Sequence, residues 1–134
     1  MAMRLLLDTN ILLMSAFGVL PVKARRMIED NANTLCFSSI SMWEIVIKNA
    51  AGRRDFQVDA NVMYHSLLAH GYEEIKVDSR HALRVALLPV FHHDPFDRMI
   101  LAQAAVEGIT LLTSDAMVAK YPGNIVHTPK VAHR

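Results

Sequence analysis

The chain has a single cysteine, Cys36, so no disulfide can close within it, and the apolar setting TLCFSS points to a buried thiol. It has no apolar run of membrane-spanning length, and the opening MAMRLLLDTN breaks at Asp8 before it could serve as the hydrophobic region of a signal peptide. These absences imply a soluble protein of a reducing cytoplasm, with no membrane among its partners. Internal repeats, low-complexity tracts and linker-like stretches are also missing. Residues 1–134 are therefore expected to form one domain, large enough to bury a core without disulfides or a structural metal. Neither GxGxxG nor GxxxxGK followed by Ser or Thr occurs, which removes the usual phosphate-cradling loops of nucleotide-binding proteins. Net charge is nearly absent too, at a formal +1.

What is present begins with apolar residues, which make up 52% of the chain and imply either a thoroughly covered sheet or an apolar face kept for a partner. The pattern alternates strand and helix. Arg4 to Leu7 is an apolar run ended by Asp8, as a central strand buried on both faces would be. A short helix through Ile11 to Ala16 breaks at Gly18. Pro21 then opens an amphipathic segment with Val22, Ala24, Met27 and Ile28 turned inward. Leu35 to Phe37 reads as a second strand, and Ser41 as the start of a helix reaching about Ala51, with Gly52 marking its end. Asp59 to His70 is a further helix, Ile75 to Val77 a third strand, and Asp78 to Leu88 helical up to Pro89. After the turn from His92 to Pro95, a strong helix spans Pro95 to Glu107 and stops at Gly108. Ile109 to Thr113 is a fourth strand, a short helix follows Asp115, and Ile125 to His127 is a fifth strand. Strands separated by helices call for right-handed crossovers, so the expected fold class is a three-layer α/β/α sandwich on a mostly parallel sheet.

Against this frame, four acids fall where a strand ends or a helix begins: Asp8 in LLLDTN, Glu44 in SMWEI, Asp97 in DPFDRMI and Asp115 in LLTSD. Strand C-termini and the helix starts after them line one edge of such a sheet, and that edge holds the ligand crevice. Carboxylates crowded there repel one another and either hold protons or share a cation. Oxygen-only ligands favour a hard divalent ion such as Mg2+ or Mn2+. Setting those four aside from the thirteen acids leaves nine against fourteen bases, a surplus of +5 that a polyanion could approach. The bases lie along Lys23, Arg25, Arg26, Lys48, Arg53, Arg54, Arg80, Arg84 and Arg98, and scattered charges of this kind more often form a solvated helix face.

Each acid also has a purely structural explanation. Glu44 stands three residues after Ser41, the spacing of a capping box. Asp94 before Pro95 is a natural N-cap, which puts Asp97 in a first turn where the helix dipole favours negative charge. Asp115 or Ser114 could cap the helix from Ala116, and Asp8-Thr9-Asn10 could be a turn and cap. The conjunction of the four, rather than any one, favours chemistry.

These segments resemble the PIN-domain nucleases, and within them the VapC-type toxins of toxin–antitoxin pairs. The resemblance runs through LLLDTN, SMWEI, LPVFHHDPFDRMILAQA and LLTSD, with HHDPFDRMILAQA as its most specific element. It implies that Asp8, Glu44, Asp97 and Asp115 form an acidic pocket for Mg2+ or Mn2+, with Asp94 as a helix cap. It further implies a five-stranded parallel sheet in order 3-2-1-4-5, metal-dependent cleavage of single-stranded or loop RNA, a cognate antitoxin that blocks the site, and a homodimer. Asp8 and Asp97 are the expected direct ligands, with Thr9, Asn10, Thr113 and Ser114 orienting waters.

The remaining polar and aromatic residues near these motifs read more plainly. Arg98 is expected to be a solvated or ion-paired surface residue rather than a phosphate contact, and His92 and His93 a polar turn rather than metal ligands. Trp43 reads as a core or interface anchor rather than a base-stacking platform, and the methionines as gap fillers between helices. Two other functions compete. A haloacid-dehalogenase-like phosphatase also carries an aspartate after its first strand, but wants a second one two residues on, where this chain has Asn10. The other is a PIN-like module that binds RNA or an antitoxin with little turnover.

Overall fold

Leu5, Leu6 and Leu7 are each wholly buried. Because side chains alternate across a strand, burial at successive positions requires cover on both faces. They form β1, Arg4–Leu7. Leu5 and Leu7 enter one apolar cluster with Ile11, Phe37, Ile45 and Leu112. Leu6 enters a second with Cys36, Ile75, Ile100 and Leu111. The computed structural model describes residues 2–51 and 57–130; Gly52, Arg53 and Arg54, read above as a helix stop and two surface bases, lie outside the described residues.

The other strands are β2 (Thr34–Ser38), β3 (Glu73–Ile75), β4 (Thr110–Thr113) and β5 (Ile125–His127). They form one five-stranded sheet in order β3-β2-β1-β4-β5, and every neighbouring pair is parallel. The helices are α1 (Thr9–Ala16), α2 (Val22–Glu29), α3 (Ser39–Ala50), α4 (Ala60–Ala69), α5 (Ser79–Arg84) and α6 (Pro95–Glu107). Helices α1, α2 and α4 cover one face through Leu12, Ala24 and Met63, and α6 covers the other through Ile100, Leu101 and Ala104. The expected three-layer sandwich and strand order are both present. Cys36 is fully buried, and burial pushes its thiol pKa up.

Several boundaries differ from the sequence pattern, for local reasons. Helix α3 begins at Ser39 rather than Ser41, because β2 runs straight into it and Ser38 is the cap, its hydroxyl accepting from Ile40 N at 3.1 Å. Three of the four residues from Ser38 to Ser41 are serines able to cap, and spacing alone could not choose among them. Strand β3 ends at Ile75 rather than running to Val77, since the Val77 amide donates to the Ser39 hydroxyl at 3.1 Å instead of joining the ladder. Its first residues are Glu73 and Glu74, polar because β3 is an edge strand, so the apolar signal fell late. The helix expected over Asp78 to Leu88 tightens after Arg84 into a 3₁₀ turn, Val85–Leu87, and the one after Asp115 is a 3₁₀ turn, Val118–Lys120. Helix α6 stops as expected at Gly108, whose left-handed φ of 66° strongly favours glycine.

The high apolar content is divided between core and surface. The sheet is covered, yet Phe17, Trp43, Val46, Val62, Leu83, Leu87, Val90 and Phe91 remain exposed. Met14 and Met63 are buried, while Met27 and Met42 pack against the first cluster as gap fillers.

Truncating Leu6→Ala in the middle of the sheet should lower the free energy of unfolding by about 2–5 kcal/mol in a urea titration. Leu83→Ala, at a side chain 75% exposed, should change it by less than about 0.5 kcal/mol. Equal effects would contradict the placement of β1 between two helical layers.

Candidate functional site

The chain order reverses between β1 and β4: β2 and β3 extend the sheet on one side of β1, β4 and β5 on the other. Crevices in doubly wound sheets open at such a reversal, beyond the strand C-termini. Asp8 follows β1 there. Its amide still donates to Leu112 O at 3.1 Å, which carries the ladder one residue further and sets Asp8 beside Thr113. The carboxylate caps α1, Oδ1 accepting from Ile11 N at 2.8 Å, while Oδ2 accepts a short hydrogen bond from the Thr113 hydroxyl. Only 4% of the residue is exposed. Burial raises its pKa to about 7; the bonds from Thr113 and Ile11 oppose this, and the charges of Asp97 and Asp115 add to it.

Asp97 arrives from α6. Asp94 caps that helix as expected, accepting from Phe96 N at 2.9 Å and Asp97 N at 3.0 Å, so the Asp97 side chain is left for other partners. Burial raises its pKa to about 6, opposed by a hydrogen bond from His92 and reinforced by the charges of Asp94, Glu44 and Asp115. Glu44 sits inside α3, 6% exposed, with Oε2 3.2 Å from Lys48 Nζ and with Oε1 buried and lacking any hydrogen-bond partner. It is not a capping-box acid, because the cap is Ser38; Ser41 is buried within the helix and accepts from the Thr9 hydroxyl at 2.9 Å. Asp115 follows β4, accepting from Met117 N at 2.7 Å and Val118 N at 3.3 Å.

The four acids from four separate segments thus share one electrostatic neighbourhood at the β1/β4 edge. They do not form a ready-made cage: among the described residues, no three Asp, Glu, His or Cys side chains converge closely enough to hold one ion. The reason is visible in their partners, since the oxygens of Asp8, one of Glu44 and one of Asp97 are turned to protein donors. The donor set nonetheless suits a hard cation, being all carboxylate and containing a buried oxygen, Glu44 Oε1, that nothing satisfies.

The PIN domain family matches residues 5–124. The chain belongs to that family. No curated protein matches it, but solved structures do. VapBC2 from Rickettsia felis, bound to a promoter DNA fragment, is 20% identical over 93% of this chain and 98% of its own, with a TM-score of 0.71. A toxin–antitoxin complex from Klebsiella pneumoniae is 20% identical over 94% and 98%, with a TM-score of 0.68. DNA-bound VapBC from Salmonella typhimurium is 17% identical over 93% and 98%, with a TM-score of 0.66. At these identities the likeness is one of fold.

Within this PIN domain, other residues singled out from the sequence take unexpected places. Trp43, read as a core or interface anchor, is not in the core: it is 58% exposed, its ring edge-on to Phe96 at 5.4 Å between centroids, which leaves the interface reading standing. Arg98 is half-buried and makes no ion pair among the described residues; it donates to Pro89 O at 2.8 Å, Val85 O at 3.3 Å and the Tyr121 hydroxyl at 3.1 Å. His92 is more than a turn residue, with Nε2 3.1 Å from Asp97 Oδ2, whereas His93 is exposed. Of the expected water-orienting residues, Thr9 and Thr113 are committed to Ser41 and Asp8, and the buried Ser114 hydroxyl has no partner.

A raised carboxylate pKa has a definite sign. Between its ordinary value of 3.8 and about 7, folded Asp8 holds a proton that the unfolded chain releases, so stability is lost as pH rises through that window. Asp97 acts likewise between 3.8 and about 6. In EDTA the melting temperature should therefore fall from pH 5 to pH 8, and Asp8→Asn should fall less over that range. A variant with the wild-type slope would contradict the buried, charge-crowded setting of Asp8.

Proposed function

We propose that this PIN domain is an endoribonuclease dependent on Mg2+ or Mn2+, cleaving single-stranded or loop RNA, and the VapC-type toxin of a toxin–antitoxin pair. The observation that carries the reading is the shared electrostatic neighbourhood of Asp8, Glu44, Asp97 and Asp115 at the sheet's topological reversal, where burial, reinforced by neighbouring carboxylate charges, raises the pKa values of Asp8 and Asp97. Four anions so placed call for a compensating charge near neutral pH.

Asp8, Glu44, Asp97 and Asp115 would hold the cation, with the orphaned Glu44 Oε1 an oxygen that needs no prior bond broken. Such an ion, when bound, lowers the pKa of a water and stabilises negative charge on the attacked phosphate and the leaving oxygen. The Thr113 hydroxyl and the Ile11 amide fix the direction of the Asp8 carboxylate. A carboxylate of the group left unengaged by the ion would take up that water's proton.

The toxin assignment is supported by the fold shared with VapBC complexes and with a toxin–antitoxin complex. By the same likeness the partners are a cognate antitoxin protein and a second copy of the chain. The chain then acts as one PIN unit in the cytoplasm, in keeping with the lack, among the described residues, of any helix long and apolar enough to cross a membrane. Phosphatase chemistry through a phosphoaspartate is disfavoured because Asn10 stands where a second aspartate is wanted.

Purified protein should cleave unstructured RNA with Mg2+ or Mn2+ and not with EDTA. Asp8→Asn and Asp97→Asn should each lower the rate by roughly two orders of magnitude or more while remaining folded by circular dichroism. Tight RNA binding without turnover would instead identify a binding module, and undiminished cleavage by both variants would refute the site.

A further inference from the structure

His92 lies in the loop before α6, largely enclosed, and every polar atom of its ring is engaged. The network around it assigns the direction of each bond. Arg98 Nη1, which can only donate, points at the Tyr121 oxygen at 3.1 Å, so that oxygen is an acceptor. The tyrosine's own hydrogen is then directed to His92 Nδ1, 2.7 Å away and nearer than the alternative acceptor, His92 O at 3.4 Å. With Nδ1 accepting, the neutral ring carries its proton on Nε2, which donates to Asp97 Oδ2 at 3.1 Å.

The anchor of this relay is rigid. Tyr121 is 3% exposed, packed edge-on against Phe91 at 4.9 Å between ring centroids, and also accepts from the His92 amide at 3.3 Å. Arg98 is held in turn by Pro89 O and Val85 O. Arg98 follows Asp97 directly in α6, and Tyr121 follows the 3₁₀ turn beyond Asp115, so the relay binds the two acid-bearing segments to each other. No described residue donates a hydrogen bond to the other Asp97 oxygen, Oδ1.

We propose that His92 is a positioning residue of the acidic site: locked by Tyr121 and Arg98, it holds Asp97 Oδ2 and so presents Asp97 Oδ1 to the cation. The proposal rests on the cation-dependent reading above. Partners of this kind, standing behind a ligand, set its orientation and typically contribute roughly ten- to a hundredfold to metal affinity or activity.

The test is Mn2+ binding to the metal-free full chain by isothermal titration calorimetry, beside circular dichroism of each variant. His92→Ala should weaken binding roughly tenfold or more. His92→Gln should recover most of it, because the glutamine amide can place an N–H where imidazole Nε2–H stood. Tyr121→Phe, which keeps the ring and removes only the hydroxyl, should fall between them, and His93→Ala should bind as wild type. Wild-type affinity in His92→Ala, or in Tyr121→Phe should the alanine variant fail to fold, overturns the proposal. Loss in His92→Ala without rescue by glutamine also overturns it, by making His92 a ligand of the ion itself. If wild type takes up no Mn2+, or Asp97→Asn takes it up as well as wild type, the cation-dependent reading itself fails, and the role of His92 with it.

Discussion

The tension that organises this molecule is a carboxylate, Asp8, buried at the end of a strand whose preceding three residues are wholly apolar. The ladder to β4 carries it under cover, two hydrogen bonds stabilise its charged form, and desolvation together with the fields of Asp97 and Asp115 opposes that form more strongly. A site so poised is relieved by protons or by a cation. The parallel sheet makes the arrangement possible, because a strand order that reverses between β1 and β4 opens a gap where no helix crosses directly.

Capping does not take these acids out of the shared acidic neighbourhood. Asp8 caps α1 and Asp115 caps the turn after β4, and in each case the cap fixes the side chain's direction close to the crevice. In α6 the roles divide between neighbours: Asp94 takes the amides, and Asp97 one turn on is left to His92 and the site. Helix N-termini favour negative charge, so acids can be brought near one another at lower cost there than on a bare loop. Glu44 differs. It enters through the body of α3, and the buried, unsatisfied Oε1 marks it as the acid whose present surroundings are least complete.

The exposed apolar residues form a separate theme. Trp43 and Phe96 stand next in sequence to Glu44 and Asp97, so one apolar pair borders the acidic neighbourhood itself. A hollow of about 420 Å³ between α1 and α4, lined by Leu12, Phe17, Val62 and Met63, lies apart from the acids.

Strand β1, the cap Asp94, the stop at Gly108 and the alternation that yields a three-layer sandwich were legible in residue order, because each depends on neighbours within a few positions. Asp8, Asp97 and Asp115 could be named for the same reason, as residues at element ends, whereas Glu44, expected near a helix start, stands in the body of α3. Boundaries inside the Ser38–Ser41 run and on the polar edge strand β3 were not legible, since what decides them is a partner across the fold: Thr9 for Ser41, and Ser39 for Val77. His92 is the clearest case. As one of two adjacent histidines in a turn it carries no local mark, and it acquires a role only when Tyr121, 29 residues on, brings a hydroxyl to its Nδ1 and Arg98 orients that hydroxyl. Local order along the chain sets caps, periods and strand ends because short-range sterics and backbone hydrogen bonds govern them. Which side chains share a field, and which oxygen of a carboxylate is left over, is settled by contacts between distant segments.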